Sequence, residues 1–175
     1  MGGHEKCVNA IEHELEETRK RWDQDINIIG RILRAHLFVE YYLTKCLEST
    51  NPKLGSMENA RLSFLQKVNL IDNTNLLILD LIQGIKHLNK IRNRIAHNLS
   101  IFLTQEDASI FLSSQYFKEM RNEIAKSEKL GDPSNDPIIV LEEFSLFVGS
   151  SLVLTPLGKA FGTALEELTK KEEKE

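Results

Sequence analysis

Two long segments of this chain repeat apolar residues every three or four positions, a spacing that only a helix gathers onto one face. In residues 26–48 the series is Ile29, Ile32, Leu33, Leu37, Leu43 and Leu47. In residues 75–97 it is Leu81, Ile82, Ile85, Leu88, Ile91 and Ile95. Each stripe has to leave water, and the simplest arrangement packs the two against each other. The spacing therefore predicts an all-α protein, an antiparallel helical bundle with these helices as its central pair. Nine glycines and four prolines are too few for a turn-rich β fold. Only the brief apolar runs at 138–141 and 151–154 leave room for short strands.

Local signals divide the rest of the chain. Residues 11–21 are rich in Glu, Lys and Arg and read as an exposed helix. Asn51-Pro52 and Gly55 break the chain after the first long helix. Residues 61–71 then supply a short helix with Leu62, Leu65, Val68 and Ile71 on one side. Asn75 is placed to cap the second long helix. Thr104 with Asp107 forms a capping-box pattern that opens a helix from Gln105 to about Lys129. Residues 131–137 form the clearest loop, and Asp136-Pro137 restarts a helix as N-cap and first residue. Thr155-Pro156 repeats that grammar and predicts a last helix beginning there. One domain thus spans 1–175, with its core at about 26–129 and a C-terminal helical extension at about 136–172.

Composition excludes several classes. The hydrophobic and charged fractions, 41% and 27%, fit a folded globular chain. Cys7 and Cys46 are too few for a disulfide framework, and free thiols fit a cytoplasmic setting. Met1 to Lys6 leads into acidic, helix-like sequence and not into a secretory signal. The longest uncharged stretch, residues 144–158, holds three serines, a threonine and a proline. It falls short of the ~20 apolar residues a bilayer requires, so no membrane span is expected.

A net charge of −4 argues against coating nucleic acid along the whole surface. Residues 81–105 are the exception. They carry Lys86, Lys90, Arg92 and Arg94 with His87 and His97, and no Asp or Glu. Charge alone fits either a solvated helix face or a phosphate-binding site. The order Arg92-Asn93-Arg94-Ile95-Ala96-His97 adds chemistry. Arginine holds a phosphate with a planar fork and stays charged, and histidine exchanges a proton near neutral pH. Cleaving RNA without a metal needs both, one to move protons and one to stabilise the crowded phosphate. Five helical positions turn about 140° and rise about 7.5 Å, so Arg92 and His97 are not neighbours on one helix. Either the helix unwinds near His97 or a second copy completes the site.

Arg92-x4-His97, with Asn93 directly after the arginine, resembles the signature of the HEPN superfamily. The likeness extends over the helical framework from roughly residue 26 to 129. Within it, Phe64-Leu65-Gln66-Lys67-Val68-Asn69-Leu70-Ile71 followed by Ile91-Arg92-Asn93-x3-His97 is similar to the mannitol-repressor branch of HEPN-like proteins. The resemblance implies a helical domain that dimerises through its motif-bearing helices. It implies a metal-independent endoribonuclease, a toxin or defence effector, that needs no cofactor. RNA, a second copy and a cognate antitoxin would be its partners. His97 would be the general acid/base, Arg92 the phosphate-binding cation and Asn93 a positioning group, with Lys86, Lys90 and Arg94 holding RNA. Other members of the superfamily are inactive regulators or dimeric adaptors, so the resemblance leaves that second reading open. A DNA-binding regulator that uses the basic face is a third.

Glu40 completes the candidate set. It lies on the apolar stripe one turn after His36, where a carboxylate is costly unless paired. It sits either at the wet edge of the stripe or across from Arg92 or His97, as HEPN proteins often place an acidic residue on a neighbouring helix. No His or Cys spacing suggests a metal site, and neither a phosphate loop nor a Gly-x-Ser-x-Gly elbow occurs. Cys46 reads as core. Trp22 and the Tyr41-Tyr42 pair read as packing residues and not as base-stacking ones.

Overall fold

The computed structural model describes residues 2–22, 26–57, 60–71, 75–97, 102–128 and 131–172, without the side chains of 2–6, 20–22, 54, 97 and 156–172. The described chain is all helical: α1 (Gly2–Trp22), α2 (Ile26–Thr50), a 3-10 turn (Pro52–Leu54), α3 (Phe64–Leu70), α4 (Leu76–His97), α5 (Gln105–Phe111), α6 (Gln115–Ser127) and α7 (Pro137–Glu172). Both short apolar runs that left room for strands lie inside α7.

Several helix starts follow directly from neighbouring residues. Asn75 Oδ1 accepts from the Leu77 N–H at 2.9 Å, as an N-cap should. Thr104 and Asp107 form the reciprocal box, with the Asp107 N–H donating to Thr104 Oγ1 and the Thr104 N–H donating to Asp107 Oδ2. Asp136 Oδ1 caps α7 by accepting from the Ile138 N–H at 3.0 Å. The third helix starts later than the expected residue 61. Arg61 has a positive φ of 44°, and Ser63 with Gln66 forms the capping box of α3.

Two expectations fail because distant residues intervene. The helix predicted from Gln105 to about Lys129 is two helices, α5 and α6. Ser114 caps the second, and Asp80 of α4 accepts from the Ser114 hydroxyl at 2.6 Å and from the Tyr116 N–H at 3.1 Å. A carboxylate from another helix thus supplies the negative charge that an N-terminus favours. Nor does a new helix begin at Thr155-Pro156, since α7 runs through that pair. Thr155 Oγ1 donates to the Ser151 carbonyl at 2.8 Å within the same helix and accepts from Asn75 Nδ2 at 3.3 Å. Pro156 removes one i→i−4 bond without ending the helix.

The assignment of α7 to an extension outside the core is also overturned. Ile138, Val140, Leu141, Phe144, Val148 and Leu152 belong to the same buried cluster as Ile32, Val39 and Leu43 of α2 and Leu81, Ile85, Leu88 and Ile91 of α4. The broadest helix packing is α2 against α7; α2 meets α4 over a smaller area. Gly84 of α4 makes room for this helix, because a Cβ there would lie 2.3 Å from Cζ of Phe144. Residues Pro137–Thr155 are apolar and long enough to cross a membrane by composition, and 56% of that window is buried within this core. Its two buried serines are satisfied internally: Ser145 donates to the Leu141 carbonyl and Ser151 to that of Phe147.

The buried stripe of α2 is shifted from the predicted one. Ile32, Ala35, His36, Val39, Leu43, Cys46 and Leu47 are buried, whereas Leu33 and Leu37 are 38% and 64% exposed. Leu65 of α3, expected on the inner side, is likewise exposed. The N-terminal half of α2 is apolar on two faces, and α4 and α7 together select which one is covered. α1 stands apart, with Val8, Ile11 and Leu15 exposed.

Candidate functional site

The motif-bearing half of α4 lines a polar cleft of about 360 Å³, shared with His36 and Glu40 of α2 and Phe64 at the start of α3. From α4 come Asn89, Arg92 and Asn93. The structure therefore brings together three of the four catalytic candidates, Arg92, Asn93 and Glu40. It adds two that sequence reasoning gave no catalytic place, His36 and Asn89.

His36 forms the floor of the cleft. It is 6% exposed, stacked on Phe64 at 4.4 Å, and its Nε2 lies 3.1 Å from Asn89 Oδ1. The amide oxygen can only accept, so Nε2 carries the proton. Burial lowers the imidazole pKa below its ordinary value, against the pull of Asn89 and Glu40 and helped by the nearby charges of Arg92 and Lys67. His36 is therefore neutral at pH 7, and its Nδ1 faces Glu40 Oε2 at 4.0 Å.

Glu40 is neither stranded in the core nor free at its edge. Lys67 of α3 donates to Glu40 Oε1 at 2.8 Å, with side-chain exposures of 13% and 29%. Glu40 faces the same cleft as Arg92, but its direct partner is Lys67, with the neutral ring of His36 beside it. Arg92 is exposed at the rim, where its Nη1 donates to Asn93 Oδ1 at 3.2 Å. The residue after the arginine thus steers the guanidinium and leaves its remaining donors to solvent.

The basic candidates separate into two groups. Lys86 and Lys90 are exposed and form no ion pair among the described residues. Arg94 is committed elsewhere: its Nη2 donates to Asp107 Oδ2 at 2.7 Å and to the Phe102 carbonyl at 3.4 Å. His87 Nε2 lies 2.9 Å from the other Asp107 oxygen. Burial raises the Asp107 pKa, but Arg94, the Thr104 N–H and His87 outweigh it and hold the carboxyl below its usual range. The stretch without acids in sequence is thus partly neutralised in space. Arg94, expected with Lys86 and Lys90 to hold RNA, is tied to Asp107 and braces α4 against α5.

α4 remains helical to His97, its final residue, so the expected alternative of unwinding before the histidine is not found. Positions 92 and 97 then lie about 140° apart around one axis. The side chain of His97 lies outside the described residues. Among the described residues no cluster of three or more His, Cys, Asp or Glu is arranged to hold a metal ion. Cys46 is a buried core thiol.

The missed members left a faint signal. Asn89 is a polar residue one turn after Ile85 and one turn before Arg92, on the inner side of α4, where a lone amide needs a partner. His36 holds the corresponding position on α2. That they are each other's partner depends on how α2 and α4 cross.

Comparison of the chain with models of protein families, with characterised proteins and with solved structures finds no match in any of the three.

Proposed function

We propose that this protein is a metal-independent endoribonuclease of the HEPN type, a toxin or defence effector whose site is built from two copies of α4. One observation carries the reading. Arg92 stands exposed at the mouth of a polar cleft, steered by Asn93 and paired with no carboxylate among the described residues. An unneutralised guanidinium beside a cleft is what a phosphodiester requires.

In this reading Arg92 binds the scissile phosphate and Asn93 orients the guanidinium. His97 takes the proton from the ribose 2′-hydroxyl and returns one to the leaving 5′-oxygen. The products are a 2′,3′-cyclic phosphate and a 5′-hydroxyl. Lys86 and Lys90 hold the RNA backbone on either side. Glu40 acts indirectly, through its ion pair with Lys67, by holding the α2 and α3 walls of the cleft together. A helical α4 sets Arg92 and His97 on different faces, so two-fold pairing of α4 supplies one copy's arginine to the other's histidine. A cognate antitoxin would act by covering this pair of helices.

The test is digestion of bulk RNA in EDTA by the protein, Arg92→Ala and His97→Ala. Cleavage by the first alone supports the proposal. Cleavage unchanged by either substitution sinks it.

A second reading, a non-catalytic HEPN-like regulator or dimeric adaptor, has its own support. Arg94, His87 and Glu40 are all engaged in bracing helices, as in a module built for assembly. It predicts that His97→Ala weakens the dimer while no RNA is cut by any version of the protein.

A further inference from the structure

Two apolar stripes lack a helix packed on them among the described residues. α1 presents Val8, Ile11 and Leu15, at 38%, 55% and 56% exposure, and makes no extensive packing with any other helix. A helix of 21 residues owes most of its stability to an apolar face packed on something, and among the described residues no other helix packs extensively on the face of α1. α2 presents Leu33, Leu37 and Tyr41, at 38%, 64% and 57%, along a shallow groove that also includes Arg34.

The stripes match when the helices run antiparallel. Leu15 falls opposite Leu33, Ile11 opposite Leu37 and Val8 opposite Tyr41, since both series step by three or four residues. One layer further on, Thr18 meets Gly30, where a Cβ would have nothing within 4 Å and a second helix can approach closely. Charge agrees with this register. Glu12 comes beside Arg34, and both are exposed without an ion partner among the described residues. Glu142, which feels the charge of Arg34, is already held by Arg31 at 2.6 Å.

In the structure α1 does not lie on its own α2. We infer that α1 of a second copy docks antiparallel on the Leu33–Leu37–Tyr41 stripe, and that the exchange is reciprocal. A two-fold pair covers all four stripes and makes the Glu12–Arg34 contact twice. This contact is separate from the pairing of α4 and stands whether or not the protein cuts RNA.

Sedimentation of the full chain tests it, with three exposed-site variants, Leu37→Asp, Glu12→Arg and Arg34→Glu, checked for unchanged helicity by circular dichroism. The wild type is expected to self-associate, and Leu37→Asp to sediment as a smaller species at the same concentration. Each charge variant alone places like charges at both contacts and raises the dissociation constant about tenfold or more. Mixing them is decisive. A Glu12→Arg chain and an Arg34→Glu chain have opposite charges at both contacts, so differently tagged copies should form a heterodimer in preference to either homodimer. A monomeric wild type overturns the inference, as folding of α1 onto its own α2 would produce. So does a dimer indifferent to Leu37→Asp. An α1–α1 pair would show itself by ignoring Arg34→Glu, which also overturns it.

Discussion

Asp107→Ala tests the claim that the basic stretch of α4 is braced as well as functional. Asp107 is 3% exposed and serves three partners: the N-cap Thr104, the guanidinium of Arg94 and the imidazole of His87. Loss of the box at the start of α5 costs about 1 kcal/mol. The bond to His87, in a largely buried setting, is worth about another. The bond to Arg94 is charge-assisted, but that side chain is 38% exposed, so solvent screening limits it to about 1 kcal/mol or less. The expected destabilisation is about 2–3 kcal/mol, a drop in Tm of about 4–12 °C for a chain of this size. Urea unfolding followed by far-UV circular dichroism measures it. The folded carboxyl is held below its unfolded pKa, so this stability is present above about pH 4 and is lost as pH falls through the lower folded value. Asp107→Asn should therefore flatten the acid limb of the stability profile. A cost under about 0.5 kcal/mol for Asp107→Ala, or an acid limb unchanged in Asp107→Asn, would refute the reasoning.

Three further outcomes are expected. Gly84→Ala forces a methyl group against the Phe144 ring, where a Cβ would meet Cζ at 2.3 Å, and should lower stability by about 1–3 kcal/mol in a urea melt. The folded pKa of His36 lies below its unfolded value, so its contribution to stability is complete above about pH 6.5 and lost as pH falls through the folded value. Proton NMR should show this imidazole titrating below pH 6.5, and His36→Gln should lessen the loss of stability between pH 7.5 and 5.5. For RNA binding, Lys90→Ala should reduce the salt slope by about one, whereas Arg94→Ala should leave the slope nearly unchanged and reduce stability instead. Equal slope changes for the two would show that Arg94 is a free cation after all.

The parts of this molecule legible from sequence are those whose causes lie within about one helical turn. The Asn75 cap, the Thr104–Asp107 box and the Asp136-Pro137 start of α7 each need only residues a few positions apart. The stripe of α4 was legible for the same reason, since Leu81, Ile85, Leu88 and Ile91 recur on one side of that helix while Lys86, Lys90 and Arg92 face solvent. The all-helical class followed from these periodicities. So did the grouping of Arg92 with Asn93, which are adjacent in the chain.

Tertiary structure decided the rest, because each remaining choice was between locally equivalent alternatives. The first half of α2 has two apolar faces, and only the positions of α4 and α7 determine that Ile32 and Val39 are covered while Leu37 is not. The break between α5 and α6 rests on Asp80, 34 residues before the Ser114 that it binds. Glu40 finds Lys67, His36 finds Asn89 and Arg94 finds Asp107 across helix crossings that no local spacing encodes. Charge is the clearest case: a segment with no acid of its own receives Asp107 from the next helix, and which of its cations stay free is settled by packing geometry. A short-range pattern specifies an element and its faces, but the partner that meets each face is a property of the whole chain.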